Sequence, residues 1–305
     1  MKKLFFIDGG AGRVVAAIPA LLKYHKRNPN SDWDILVGGW DSLLWGIPEL
    51  QDRTYNTETK GIFESIIKNA SEIVTPEPYR IPDYYNQKIS LAQAFDREIN
   101  NTTDHSDLEP PKLISTNLEL TNAFSVIEDV KNQQGKEKTI VIQPFGRGIS
   151  KISNYLVDES HRSLPSDMYL KIVEKLSKKY NLILFSEPDF YLSDDIFTYR
   201  PNLDLRSWPG LIQLADYFVG VDSLGQHIAR AVGTNGTVIM GSTFSINTSY
   251  PEYFNVVERN VDRKYSPIRI SGFESHMADR LNSKTMEYTD VEINEICRKI
   301  QNELK

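Results

Sequence analysis

Short apolar runs that stop at glycine or small polar residues, then give way to helical periodicity, recur along this chain. That alternation restricts it to parallel α/β architectures. Leu4–Ile7 ends at Asp8-Gly9-Gly10-Ala11-Gly12, after which Val14, Val15, Ala17, Ile18, Leu21 and Leu22 fall at helical spacing. A buried strand feeding a helix through a tight turn starts a βα unit. Trp33–Val37 repeats the strand signal and stops at Gly38-Gly39. A helix is expected over Lys60–Asn69, a strand at Glu72–Val74, a Pro- and Tyr-rich loop from Pro76 to Tyr85, and a helix over Lys88–Ile99. Lys112–Ser115 reads as one more strand and Glu119–Asn132 as a connecting helix. After the polar run 132–138 the alternation restarts. Strands are expected at Thr139–Gln143, Leu182–Phe185, Tyr217–Val221 and Thr237–Met240, with helices over Ser166–Tyr180, Leu211–Ala215 and Leu224–Val232. Strands that alternate with helices form parallel sheets covered on both faces. The reading is two Rossmann-like domains, 1–135 and 136–289, facing a central cleft, with a closing helix over 290–305.

Composition narrows the function classes. Hydrophobic residues make up 40% and charged residues 25%, which excludes a disordered chain. The net charge of −6 argues against affinity built on broad phosphate neutralisation, although it leaves room for a local basic groove. A lone cysteine, Cys297, allows no internal disulfide and fits a reducing cytosol. The five histidines never fall at metal-ligand spacing and no DxD motif sits at a strand end, so no metal is expected. The apolar run near Met1 is broken by Asp8, and no stretch approaches the ~18 apolar residues of a membrane span. A soluble, cytoplasmic protein is expected.

In an open parallel sheet, ligands sit beyond the carboxyl ends of the strands, so the post-strand loops carry the interest. The most informative is Val219-Gly-Val-Asp-Ser-Leu-Gly-Gln-His-Ile-Ala-Arg-Ala-Val-Gly233. A strand ends at Asp222 and small or polar residues open a helix, whose free N–H groups and dipole suit an anion such as a pyrophosphate. The other reading is an ordinary N-cap, with Asp222 or Ser223 capping and His227 merely packed. The Gly10-Ala-Gly12 turn invites a dinucleotide reading too, but the third glycine of that fingerprint would fall at Val15.

The segment "FVGVDSLGQHIARAVGTNGTVIMGST" resembles the donor-binding signature of the heptosyltransferase-like glycosyltransferases, glycosyltransferase family 9. "LRSWPGLIQLADYFVG", "IVIQPFGRG…RSLPSDMYLKIVEKL" and "GAGRVVAAIPALLKY" are similar, in order, to three further parts of that family's pattern. The resemblance implies the two-domain GT-B fold and a nucleotide-sugar donor held by the second half. No cofactor is expected, a nucleotide-sugar being a substrate. It places Asp222, Ser223, Gly225, Gln226 and His227 on the diphosphate loop, with Ser242 and Thr243 on the facing loop. Glu187 matches an acidic residue that bonds the donor ribose. Arg162 sits near the family's phosphate-binding lysine, and Arg147 and Lys151 are further cations beside it; any of these would neutralise a leaving nucleoside diphosphate without a metal.

One position departs from the pattern. Where the family has a catalytic aspartate after the opening glycine, this chain has Arg13. An inverting transfer needs a base for the acceptor hydroxyl, and Asp8 and Asp41 are the candidates. Arg13 could instead bind an acidic acceptor or the donor phosphate. Gly10, Gly12, Trp40 and Tyr84 fall on the acceptor side. Two acceptors are consistent with the sequence: a saccharide such as a lipopolysaccharide core, or a hydroxymethylated cytosine in DNA. The second rests on a similarity of style to glycosyltransferases of tailed phages and on the aromatic and basic residues around Tyr79, Arg80, Tyr84, Tyr85 and Lys88. A catalytically inactive sugar-nucleotide binding protein is the third reading.

Overall fold

The computed structural model describes residues 2–146, 148–152, 155–158, 160–186, 204–261, 264 and 284–305. The first half holds β1 (Lys3–Ile7), α1 (Ala11–Arg27), β2 (Trp33–Val37), β3 (Thr54–Asn56), α2 (Ile62–Ser65), β4 (Glu72–Val74), α3 (Pro82–Tyr85) and α4 (Leu91–Asn100). Its strands form a parallel sheet in the order β3-β2-β1-β4. Side chains alternate across β1: Phe5 and Ile7 enter the main core beside α1 and α4, while Leu4 and Phe6 pack on the other face against Ile62, Ile66 and Ile67.

A long helix, α5 (Asn117–Gln134), leads into the second half. Although it precedes residue 135, α5 packs on α7 (Ser207–Leu214) and β8 (Asn181–Leu184). The second sheet adds β5 (Thr139–Gln143), β9 (Tyr217–Val221), β10 (Gly236–Met240) and β11 (Asn255–Glu258), all parallel, in the order β11-β10-β9-β5-β8. One face is covered by α6 (Ser166–Leu176) and the C-terminal helix (Asp290–Glu303), around Ile142, Leu184, Ile172 and Ile296. The other, carrying Val141, Ile183 and Phe218, is covered by α5, α7 and α8 (Leu224–Val232). That face belongs to the same continuous core as α1 and Phe5, so the two halves share apolar interior. A hairpin of β6 (Ile149–Ile152) and β7 (Tyr155–Asp158) stands apart from both sheets, and α9 (Ser245–Thr248) follows β10. None of the described helices is long and apolar enough to cross a membrane.

The expected α/β architecture with two Rossmann-like sheets is present. Lys112–Ser115, read as a strand, joins no sheet: the Leu113 N–H donates to the Ala231 carbonyl near the end of α8, tying the crossing segment to a helix end. The helix expected over Lys60–Asn69 is broken at Ile66 (φ −121°, ψ −58°) into α2 and a 3₁₀ turn. Strands β3, β6, β7 and β11, of three or four residues each, went unread.

Candidate functional site

Topology alone locates a site in each half. In the first sheet the strand order reverses between β1 and β4, and in the second between β5 and β9. Such switch points are where ligands enter doubly wound sheets. The residues at and beyond these strand ends meet around one cavity of about 310 Å³: Gly9–Arg13 after β1, Tyr79 after β4, Gln143 at the end of β5 with Phe145 and Gly146 beyond it, and Asp222–Leu224 after β9. Two helices begin here, α1 at Gly10 and α8 at Ser223. Neither has a side-chain N-cap bond or an acidic residue in its first turn. By contrast α4, α5 and the C-terminal helix each carry a full capping box, at Ser90, Thr116 and Thr289.

The turn after β1 is held by Arg13. Its Nε donates to the Asp8 carbonyl (3.0 Å), Nη1 to Glu77 Oε1 (3.1 Å), and Nη2 to Asp8 Oδ1 (3.1 Å) and the Pro76 carbonyl (3.2 Å). The guanidinium also lies 4.8 Å from the Tyr79 ring centroid. Burial opposes its charge, but Tyr79, Glu77 and Asp8 outweigh that and raise its pKa. Gly9 has φ +89°, and a Cβ there would come within 2.8 Å of Arg13 Cδ; the glycine lets the arginine fold back under the turn. Arg13 thus binds its own loop while it also lines the cavity.

On the facing wall, Asp222 is buried and organises the loop rather than offering a free carboxylate. Its Oδ1 accepts from Gln226 Nε2 (3.1 Å), its Oδ2 accepts from Thr243 Oγ1 (2.7 Å), and Arg162 Nη1 lies 3.7 Å away. Gln143 braces α8 by accepting the Gly225 N–H (2.8 Å) and donating to Ser223 Oγ (3.2 Å). His227 pairs through Nδ1 with the Tyr250 hydroxyl (2.9 Å), and burial pushes its pKa down to about 4 against the pull of Asp222. It crosses to the first half: a Cβ on Gly12 would lie 3.1 Å from His227 Cδ2.

Arg162 is positioned by Asp158. That carboxylate accepts from the backbone N–H groups of Ser160 (2.8 Å), Arg162 (3.1 Å) and Ser163 (2.8 Å) and from both serine hydroxyls. Burial raises its pKa, yet these donors more than offset that and leave it lowered. At the apolar end of the cavity, Phe185 and Trp208 pack at 4.3 Å between centroids beside Leu205. The Trp208 indole N–H is buried with no partner among the described residues.

Of the residues singled out from sequence, Gly10, Gly12, Arg13, Trp40, Tyr84, Arg162, Asp222, Ser223 and His227 line the cavity. Gly225, Gln226 and Thr243 stand behind the lining and shape it. Ser242 is buried and bonds the His161 carbonyl and Thr285, away from the cavity. Lys151 lies exposed on the β6–β7 hairpin. Arg147 and Glu187 fall outside the described residues. Neither candidate base lines the cavity: Asp41 accepts from Asn56 Nδ2 (2.6 Å), and Asp8, half-exposed, adjoins the lining residue Gly9. Sequence reasoning missed Gln143, Asp158, Phe185 and Trp208. Only Gln143 carried a local signal, as the polar end of an otherwise apolar strand. Among the described residues no group of three or more His, Cys, Asp or Glu is placed to hold a metal ion.

Comparison with solved structures fits this architecture. A glycosyltransferase family 9 protein from Veillonella parvula superposes with a TM-score of 0.70 at 11% identity, covering 99% of this chain and 97% of that one. The chain has the GT-B fold of these glycosyltransferases. The ADP-heptose lipopolysaccharide heptosyltransferase II of E. coli gives 0.65 at 13% identity over 100% of this chain and 98% of that chain. The E. coli heptosyltransferase WaaC, solved with ADP, gives 0.57 at 9% identity, covering 99% of each chain. No protein-family model matches. Among curated proteins, importin subunit beta-3 of Saccharomyces cerevisiae is 32% identical over 139 residues, a stretch that is 45% of this chain and 12% of that protein.

Proposed function

We propose that the protein is a glycosyltransferase that moves a sugar from a nucleotide-sugar to a hydroxyl of an acceptor saccharide. The observation that carries this reading is the convergence of two switch points and two helix N-termini without side-chain caps on one cavity, with Arg162 on its wall. Such a cavity favours a diphosphate, because backbone N–H groups, helix dipoles and a guanidinium all stabilise negative charge. The apolar end at Phe185, Leu205 and Trp208 suits the nucleoside. The structural relative WaaC was solved with ADP, which agrees with a nucleoside diphosphate as a ligand.

In this reading Arg162 and the start of α8 hold the diphosphate. As the glycosidic bond to the diphosphate breaks, they take up the charge that develops on the leaving group, and no metal is required. Asp8 accepts the proton of the acceptor hydroxyl while that oxygen attacks the anomeric carbon, a direct displacement that inverts configuration. Arg13 fixes Asp8 for the purpose. Asp41, turned to Asn56, is the weaker candidate.

A nucleobase in DNA is the less supported acceptor. Tyr84 is completely buried, Tyr79 packs against it and against Arg13, and Lys88 and Arg97 pair with Asp83. The loop offers little of the exposed stacking surface such an acceptor needs. A salt-sensitive affinity for duplex DNA would revive that reading.

The test is a thermal-shift panel of nucleoside diphosphates with and without EDTA. One of them is expected to raise the melting temperature whether or not EDTA is present. Asp8→Asn is expected to keep that shift and to suppress transfer to a saccharide at least a hundredfold. No stabilisation by any nucleoside diphosphate would end the reading. Stabilisation without turnover in the unaltered protein would leave the inactive sugar-nucleotide binder.

A further inference from the structure

Tyr84 is completely buried in α3, and three contacts fix its place. Its backbone carbonyl accepts from Asn247 Nδ2 of the second half (2.7 Å), its N–H donates to the Ile81 carbonyl (3.0 Å), and its ring packs on Tyr79 at 5.6 Å between centroids. The residue lines the cavity alongside Arg162, Asp222 and His227. Its hydroxyl has no hydrogen-bond partner among the described residues.

That combination needs a reason. A buried phenol without a partner is worse than phenylalanine at the same place, since the hydroxyl loses its water and gains nothing. Buried polar groups are almost always satisfied, and those that are not mark a strained, functional or ligand-facing position. Here the ring is held at the seam between the halves, where a ligand in the cavity would meet it.

We propose that the Tyr84 hydroxyl is a ligand-binding group that donates a hydrogen bond to a non-bridging phosphate oxygen of the nucleotide. The inference rests on the nucleotide-sugar reading and adds a residue from the first half to the donor site. Burial, with Tyr79 and Asp222, pushes the phenol pKa well above its ordinary value, while Arg13 and Arg162 pull the other way. The group stays protonated, so it serves as a donor and not as a base. Groups beside it favour the same kind of partner: Arg162 and the start of α8 donate, and Asp222, the one lining carboxylate among the described residues, already accepts from Gln226 and Thr243. A phosphate oxygen, acceptor only and negatively charged, is the complement.

Tyr84→Phe removes one oxygen and leaves the packing. Three quantities decide the matter: the melting temperature of the ligand-free protein, and the affinities of the stabilising nucleoside diphosphate and of its parent nucleoside, by calorimetry. The variant is expected to melt no lower than the unaltered protein, to lose about tenfold or more in diphosphate affinity, and to bind the nucleoside as before. Unchanged diphosphate affinity would overturn the proposal and assign the hydroxyl to a water. A lower melting temperature without ligand would overturn it too, by showing a structural partner. An equal loss for the nucleoside would move the contact away from the phosphates and overturn it as stated. If the unaltered protein binds no nucleoside diphosphate, the underlying reading fails first, a result that Tyr84→Phe cannot mimic.

Discussion

His227 sits where α8 meets the first turn of α1, and its environment makes protonation expensive. Burial pushes its folded pKa down to about 4, from an ordinary value of about 6.5. Above about pH 6.5 both folded and unfolded chains carry it neutral. As pH falls toward 4 the unfolded chain takes up the proton and the folded chain does not, so stability falls through that window. The loss is on the order of 3 kcal/mol by pH 4. Urea midpoints measured from pH 7.5 to 4.5 should drop less steeply in His227→Gln than in the parent; equal slopes would mean the histidine is not the group responsible. His227 was legible in sequence because it follows a strand end and small residues within one local stretch. Arg13 was legible as unusual but not in its role. Its partners Glu77 and Pro76 lie in a loop that only the β1–β4 pairing brings alongside. Asp158 was not legible at all, since a carboxylate amid serines reads as an exposed turn until the cradle around it closes.

At the scale of elements, five-residue strands with an apolar core announced themselves: Trp33–Val37, Thr139–Gln143 and Tyr217–Val221 match the reading residue for residue. Among the short edge strands, β4 and β8 were read and β3 and β11 were not: Thr54-Tyr55-Asn56 has no apolar run, and β11 offers only the pair Val256-Val257. Helix starts at Ser90, Thr116 and Thr289 are closed by capping boxes and contribute stability. Those at Gly10 and Ser223 lack such caps, as do those of α6 and α7, and what distinguishes the first two is that both face the cavity. Thr289→Ala should cost about 1 kcal/mol in urea denaturation, with no effect on diphosphate affinity. A change in affinity would mean the C-terminal helix is coupled to the site.

The whole molecule depends on a few long-range polar contacts laid over a shared core. Arg206, buried in the first turn region of α7, binds Glu119 through Nε (2.8 Å) and Nη2 (2.7 Å), and donates to the carbonyls of Ser42 (3.0 Å) and Ile114 (2.9 Å). Its side chain thus joins the second half to a loop of the first and to the segment between them. Breaking such a buried pair leaves Glu119 with only its Thr116 capping bond and strips a donor from the carbonyls of Ser42, Trp45 and Ile114, and Arg206→Met should lower stability by about 3 kcal/mol or more in urea. Amide hydrogen exchange should rise in residues 41–46 before it rises in β5 or β9. Uniform acceleration would show that the arginine supports the second half alone. No sequence pattern foretold this residue, whose partners lie far away along the chain.

The cavity walls come from both halves, which meet at Gly12 and His227 and again where Asn247 holds the carbonyls of Tyr84 and Ile89. A molecule filling that space is therefore also mortar between them. By thermodynamic reciprocity, whatever factor the occupant adds to the cohesion of the two halves, tightening that seam adds to its own affinity. Substitutions at Asn247 or Arg206, which face other partners than the occupant, belong among the determinants of how tightly it is held.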